Sequence, residues 1–283
     1  MRRGFKILIF IILSVICASV NLSSAFCSPL VTLEKDEKPV PIIMYHNVST
    51  NQKLQNKYVI SVEELEQDLA CLKANGFETI IMADLINYVY KGDPLPEKPI
   101  ILTFDDGDFG IVKHVYPLLQ KYDMKAVVSI IGKVTDDYSA LNKEEVGYLS
   151  NLTWPEVKEM SESGYVEIQN HTYNLHQKGG AKKIRGESEE AYQKRLSSDV
   201  GKLQDRMAEM LKAPATTFTY PYGAVSSTTD NILKEMGFLA TLSCREKVTK
   251  VSFGDRDGLF QLGRILRPHG VSSEKLLRKI TTD

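Results

Sequence analysis

From Val40 onward the chain alternates short apolar, β-like runs with stretches of helical periodicity. This alternation is what most constrains the fold. A helix between two strands is the ordinary crossover of a parallel sheet, so repeated β-then-α order points to one parallel sheet flanked by helices. Residues 40–45, 77–82, 99–104, 126–131, 166–168, 217–220, 238–242 and 261–266 read as strands. Ser61-Val62-Glu63-Glu64 is a capping box that opens a helix with Val62, Leu65, Leu69 and Leu72 on one face, ended by Gly76. Further helices are expected over 83–90, 116–122, 153–164, 188–211, 227–236 and 273–280. The longest of them carries Tyr192, Leu196, Val200, Leu203, Met207 and Leu211 on one face. A domain of this size most simply closes as a barrel, with an open doubly wound sheet as the alternative. Both architectures put chemistry at the carboxyl ends of strands, where His46, Asp105, Asp106, His171 and Tyr222 all fall.

The first residues follow another pattern. Arg2, Arg3 and Lys6 precede an uncharged apolar run over 7–20, and small and polar residues follow. This reads as a secretory signal peptide over 1–27, cleaved after Ala25 or Cys27, and then a linker over 28–39. An uncleaved membrane anchor is the alternative, which leaves membrane or cell-wall association open. Bulky Phe26 disfavours a lipid on Cys27. Either way the body is expected outside the cytoplasm. Losing Arg2, Arg3 and Lys6 moves the formal charge from -1 to -4, so no basic field suggests nucleic acid. Cys71 and Cys244 fall in the body, and the sequence leaves open whether they pair. Nothing in it sets an oligomeric state.

Two segments carry the chemistry. Thr103-Phe104-Asp105-Asp106-Gly107 ends an apolar strand in adjacent carboxylates. Neighbouring side chains on a strand point to opposite faces, so the two acids share a site only where the strand ends, as Gly107 indicates. His171-Thr172-Tyr173-Asn174-Leu175-His176 brings two imidazoles into one loop. Five positions apart, they would not share a helix face, so the loop must fold back to put both on one ion. Two His and one carboxylate are a minimal set for a divalent metal with open positions, and the second carboxylate is then available as a base.

On these motifs the chain resembles the polysaccharide deacetylases with a NodB-homology domain. Thr-Phe-Asp-Asp-Gly at 103–107 is that family's first motif, and the His-Thr loop is its second with one extra residue. The longer loop, together with Pro41-Ile42-Ile43-Met44-Tyr45-His46-Asn47-Val48, is similar to the branch that deacetylates poly-N-acetylglucosamine. Pro221-Tyr222-Gly223 matches part of the third motif. The resemblance spans roughly 40–280 and implies a distorted (β/α) barrel of about seven strands in a single domain. It implies that Asp106, His171 and His176 hold the metal, that Asp105 is the general base, that the Tyr222 N–H binds the oxyanion and that His46 is the general acid. Zinc is the default ion, with cobalt, nickel, iron and manganese also compatible. The substrate implied is an N-acetylated polysaccharide.

The chain departs from the family in three places. Thr219 or Tyr220 stands where the third motif has an arginine, no later Asp-Trp occurs, and His269 in Arg267-Pro268-His269-Gly270 matches the late Leu-x-His poorly. Arg264 is the candidate to replace the lost arginine by pairing with Asp105. The lost arginine keeps in view a glycan-binding relative that no longer turns over, and a metal hydrolase of another extracellular amide or ester is the second alternative.

Overall fold

The computed structural model describes residues 37–141 and 150–281. The segment read as a signal peptide and all but the end of the linker lie outside the described residues. The described strands are β1 (Lys38–Val40), β2 (Ile42–Tyr45), β3 (Asn47–Val48), β4 (Val59–Ile60), β5 (Glu78–Thr79), β6 (Pro99–Asp106), β7 (Ala126–Ile130), β8 (Val166–Asn170), β9 (Thr217–Thr219), β10 (Ala240–Leu242), β11 (Thr249–Val251) and β12 (Ile265–Leu266). The helices are α1 (Val62–Ala74), α2 (Met82–Lys91), α3 (Tyr116–Tyr122), α4 (Gly132–Ala140), α5 (Trp154–Glu162), α6 (Glu189–Leu211), α7 (Thr229–Glu235) and α8 (Ser273–Thr281).

Seven strands pair in parallel in the order β10-β9-β8-β7-β6-β2-β12, with β5 added beside the start of β6. The two ends of this path meet through residues 261–264. The Leu262 N–H donates to Thr241 O, and the Ser243 N–H donates to Leu262 O. The result is the distorted (β/α) barrel. β6 is buried along all but its last residue, as a strand covered on both faces must be. One apolar cluster packs α1, α3, α5, α6 and α8 against the sheet, and a second gathers α2 with Val40, Ile101, Val127 and Leu242.

The helices begin where local chemistry lets them. Ser61 and Glu64 form the expected capping box of α1. Gly132 and Thr135 are the only buried residues of α4, so that helix carries too little apolar periodicity to be read from sequence. Helix α2 is held from a distance: the Glu167 carboxylate on β8 accepts the Met82 and Ala83 N–H groups. The structure corrects two boundaries. Lys38 and Pro39, read as linker, belong to β1, which pairs antiparallel with β11. Pro41 then separates β1 from β2, where the sequence reads one strand.

Candidate active site

The strand ends converge on a cleft of about 500 Å³ lined by His46, Tyr58, Asp105, Asp106, His171, His176, Tyr222 and Cys244 among others. β6 delivers Asp105 and Asp106. Asp106 adopts φ 74°, a left-handed conformation that side chains rarely take, and Gly107 follows at φ 79°. This reversal takes Asp106 out of strand alternation. The turn is clamped by the Leu152 N–H to Gly107 O and by the Asn151 amide to Asp106 O. Thr172 (φ 73°) and Tyr222 (φ 56°) share the left-handed conformation. Three of the six described non-glycine residues in this conformation thus stand at the carboxyl ends of β6, β8 and β9.

Asp106, His171 and His176 offer ligand atoms that all lie within 4.8 Å of one another. The His171 Nε2 is 3.4 Å and the His176 Nε2 2.9 Å from Asp106 Oδ1. Oδ1 is nevertheless buried and makes no well-formed hydrogen bond to either ring. An orphaned buried carboxylate oxygen beside two imidazole nitrogens fits a divalent cation. His171 Nδ1 lies 2.8 Å from Thr219 O, an acceptor only. Nδ1 must therefore carry the proton, and Nε2 presents its lone pair to the site. Burial pushes the Asp106 carboxyl up, but the two imidazoles outweigh it and hold the group far below the usual carboxylate range. Burial pulls His171 down, yet Asp106 and Asp105 leave it raised.

Asp105 is 2% exposed and Arg264 is fully buried. They meet through two parallel bonds of 2.8 Å, NH1 to Oδ1 and NH2 to Oδ2. The remaining donors of Arg264 go to Ser243 O, the Thr103 hydroxyl and Cys244 Sγ. Burial pushes the Asp105 carboxyl up, and the guanidinium more than offsets this, so it sits below its ordinary value. His46 lies just past β2, its ring 4.8 Å from the Tyr58 ring and its buried Nδ1 without a partner. Burial lowers its pKa, against the pull of Asp105 and Asp106. Tyr222 sits on a single turn after β9; the residue is 61% exposed, and its ring is 5.0 Å from that of His176.

The structure thus brings all seven residues singled out from the sequence together. His269 is not among them: it bonds Glu64 away from the cleft. Cys71 and Cys244 are free thiols, and Cys244 lines the cleft beneath Gly223. Sequence reasoning missed Asp199 and Asp136, which fasten the histidine loop, and Tyr58 in the cleft wall. Asp199 lies three residues after Leu196 and four before Leu203, at the margin of an apolar stripe where a carboxylate needs a partner.

A family model described as polysaccharide deacetylase matches residues 92–241, more than half of the chain. The poly-beta-1,6-N-acetyl-D-glucosamine N-deacetylase of Escherichia coli K12 is 26% identical in a match that covers 84% of this chain and 40% of that protein. The chain therefore spans well under half the length of that relative. The Staphylococcus aureus MRSA252 protein of the same name is 24% identical, covering 89% of this chain and 90% of its own length. The solved structure of IcaB from Ammonifex degensii superposes with a TM-score of 0.70 at 27% identity, over 86% of this chain and 97% of that one. The Streptococcus pyogenes deacetylase PplD in complex with acetate shares the fold, with a TM-score of 0.71 at 24% identity over 86% of this chain and 99% of its own.

Proposed function

The chain belongs to the polysaccharide deacetylase family, and from that premise we propose that it is a metal-dependent hydrolase removing N-acetyl groups from an extracellular polymer of N-acetylglucosamine. The carrying observation is the orphaned Asp106 Oδ1 between His171 and His176, one residue from a carboxylate clamped by Arg264. The named relatives favour poly-N-acetylglucosamine as the polymer. The extracellular setting rests on the basic and then apolar N-terminal segment.

Asp106, His171 and His176 would hold the ion. A divalent ion held there supplies Lewis acidity and brings the pKa of water to about 7. Zinc suits this donor set best, with cobalt, nickel, iron and manganese compatible. Each Asp105 oxygen accepts one bond from Arg264 and keeps a further lone pair. Asp105 can therefore take the proton of the attacking water while remaining fixed in place. The Tyr222 N–H stabilises the oxyanion as the carbonyl becomes tetrahedral. The sugar amine leaves only if protonated, and His46 is the group at the cleft to deliver that proton. The products are acetate and a free amino sugar. Arg264 also removes the main argument for a non-catalytic glycan-binding relative, which was the missing arginine.

The test is to count free amines released from poly-N-acetylglucosamine oligomers, chitin oligomers and peptidoglycan, after chelation and again with added zinc. Zinc-dependent release, largest on poly-N-acetylglucosamine, is expected. Activity on simple acetyl esters with none on any N-acetyl sugar would promote the general-hydrolase reading. The variant with both His171→Ala and His176→Ala should bind no zinc, and full zinc content in it would sink the site assignment.

A further inference from the structure

A loop that supplies two metal ligands needs its own support, because a productive site tolerates errors of only about 0.5 Å. The His171–His176 loop has no internal ladder to provide this. Its backbone is instead gripped from two sides. The carbonyls of Thr172 and Tyr173 accept the Gly132 and Lys133 N–H groups at the start of α4. The Thr172 N–H goes to Asn170 Oδ1, and the Asn170 amide is tied to α6 through Val200 O and Gln204 Oε1. Two further inner amides turn toward one group. Tyr173 N–H donates to Asp199 Oδ1 at 2.8 Å and Asn174 N–H to Asp199 Oδ2 at 2.9 Å.

Successive N–H groups closing on one anion form a nest, a concave arrangement that an isolated loop would leave to water. The geometry points to Asp199 as a positioning residue for the metal ligands. By gathering the amides between His171 and His176, it sets how far apart the two imidazoles stand. Asp199 touches neither the ion site nor the cleft. Its hydrogen bonds run to the segment that separates the ligands. The longer spacing explains the need: each added residue brings one more N–H to satisfy and more freedom to remove. Tyr173 reinforces the arrangement, since its hydroxyl donates to Asp136 while the Lys202 ammonium sits 3.9 Å from its ring centre.

This inference rests on the metal reading of Asp106, His171 and His176. The experiment uses the full chain carrying Asp199→Asn, Asp199→Ala or, as a control, Val157→Ala, a core cavity on α5 at a residue that makes no hydrogen bond to the loop. Zinc affinity is measured by chelator competition, the cobalt form by its absorption spectrum, and stability by thermal melting. We expect about 10-fold weaker zinc binding for Asp199→Asn and up to about 100-fold for Asp199→Ala, with altered cobalt spectra. Asn keeps one acceptor but turns an amide N–H toward another N–H, so it should fall between wild type and Ala. Val157→Ala should melt earlier and keep wild-type affinity and spectrum. Wild-type affinity and spectrum in Asp199→Ala would overturn the inference. An equal loss of affinity in Val157→Ala at matched destabilisation would also overturn it. Failure of the wild-type chain to bind any divalent ion would instead overturn the metal reading, and the inference with it.

Discussion

Arg264 and Arg267 stand three residues apart, and each closes a buried two-pronged pair with a carboxylate, yet the two pairs serve different ends. Arg267 bonds Asp68 through Nε at 2.6 Å and NH2 at 3.2 Å. The Ser273 and Tyr45 hydroxyls complete the ring at 2.6 and 3.2 Å. Asp68 therefore ties α1 to β2, α8 and the segment after β12, and it does not line the cleft. Asp105 has its guanidinium clamp and otherwise faces the cleft. Burial pushes both acids up. At Asp105 the guanidinium wins and the group is held below its ordinary value, whereas at Asp68 burial wins and the group is raised. The lesson is that two similar buried ion pairs differ in what they leave unmade, and that difference is what the proposed role of Asp105 as base requires. Asp68 spends its lone pairs on packing elements together, and Asp105 keeps some for a proton.

The comparison is broken or sharpened most strongly by the matched substitutions Asp105→Asn and Asp68→Asn. Each strands a buried arginine and should cost roughly 3–5 kcal/mol of stability. Only Asp105→Asn should also lose turnover per folded molecule, by about 10²–10⁴-fold, while keeping its metal. The measurement is kcat and bound zinc well below each melting temperature. A comparable kcat loss in Asp68→Asn would erase the distinction. Loss of metal in Asp105→Asn would mean that the two adjacent acids are assigned the wrong way round.

Much of the Asp105 side was legible in the sequence because its signals are local. An apolar strand ending in Asp-Asp-Gly announces both acids and the turn that frees them. Arg264, 159 positions away, was matched to Asp105 only through the family resemblance, whose third-motif arginine is missing here. The Asp68 side was not read, although a signal existed: Asp68 lies on the apolar face of α1 between Leu65 and Leu72. A carboxylate there must be paired, but its partners come from positions 45, 267 and 273, which no local pattern links. The same limit applies to Glu167, which caps α2 from 85 residues away. Strand β11 is three residues long and pairs outside the barrel, so it carries no period to detect.

A smaller effect separates the cost of a stranded charge from the worth of the pair. Arg267→Met alone leaves Asp68 buried and uncompensated and should lower stability by roughly 3–5 kcal/mol, whereas Arg267→Met combined with Asp68→Leu should recover most of it. Urea midpoints at constant m check this. Because the Asp68 pair is structural, the double variant should keep wild-type kcat. The corresponding replacement of Arg264 and Asp105 should fold but be inert, and activity in it would remove Asp105 as the base.

The smallest expected effect is the most delicate test. Tyr45 lies on β2 beside His46, stacks on Phe104 with ring centres 4.9 Å apart and 13° between planes, and gives its hydroxyl to Asp68. Phe104 in turn precedes Asp105, and Tyr45 and Phe104 are register partners across β2 and β6. Tyr45 is thus where the structural pair and the catalytic strand ends touch. Tyr45→Phe keeps the stacked ring and removes one donor from an acid that retains Arg267 and Ser273. The expected cost is about 1 kcal/mol of stability, the net worth of one hydrogen bond, with kcat unchanged. A fall in kcat without a matching loss of stability would show that the Asp68 ring reaches the chemistry through β2 and His46. The two arginine pairs would then be one device rather than two.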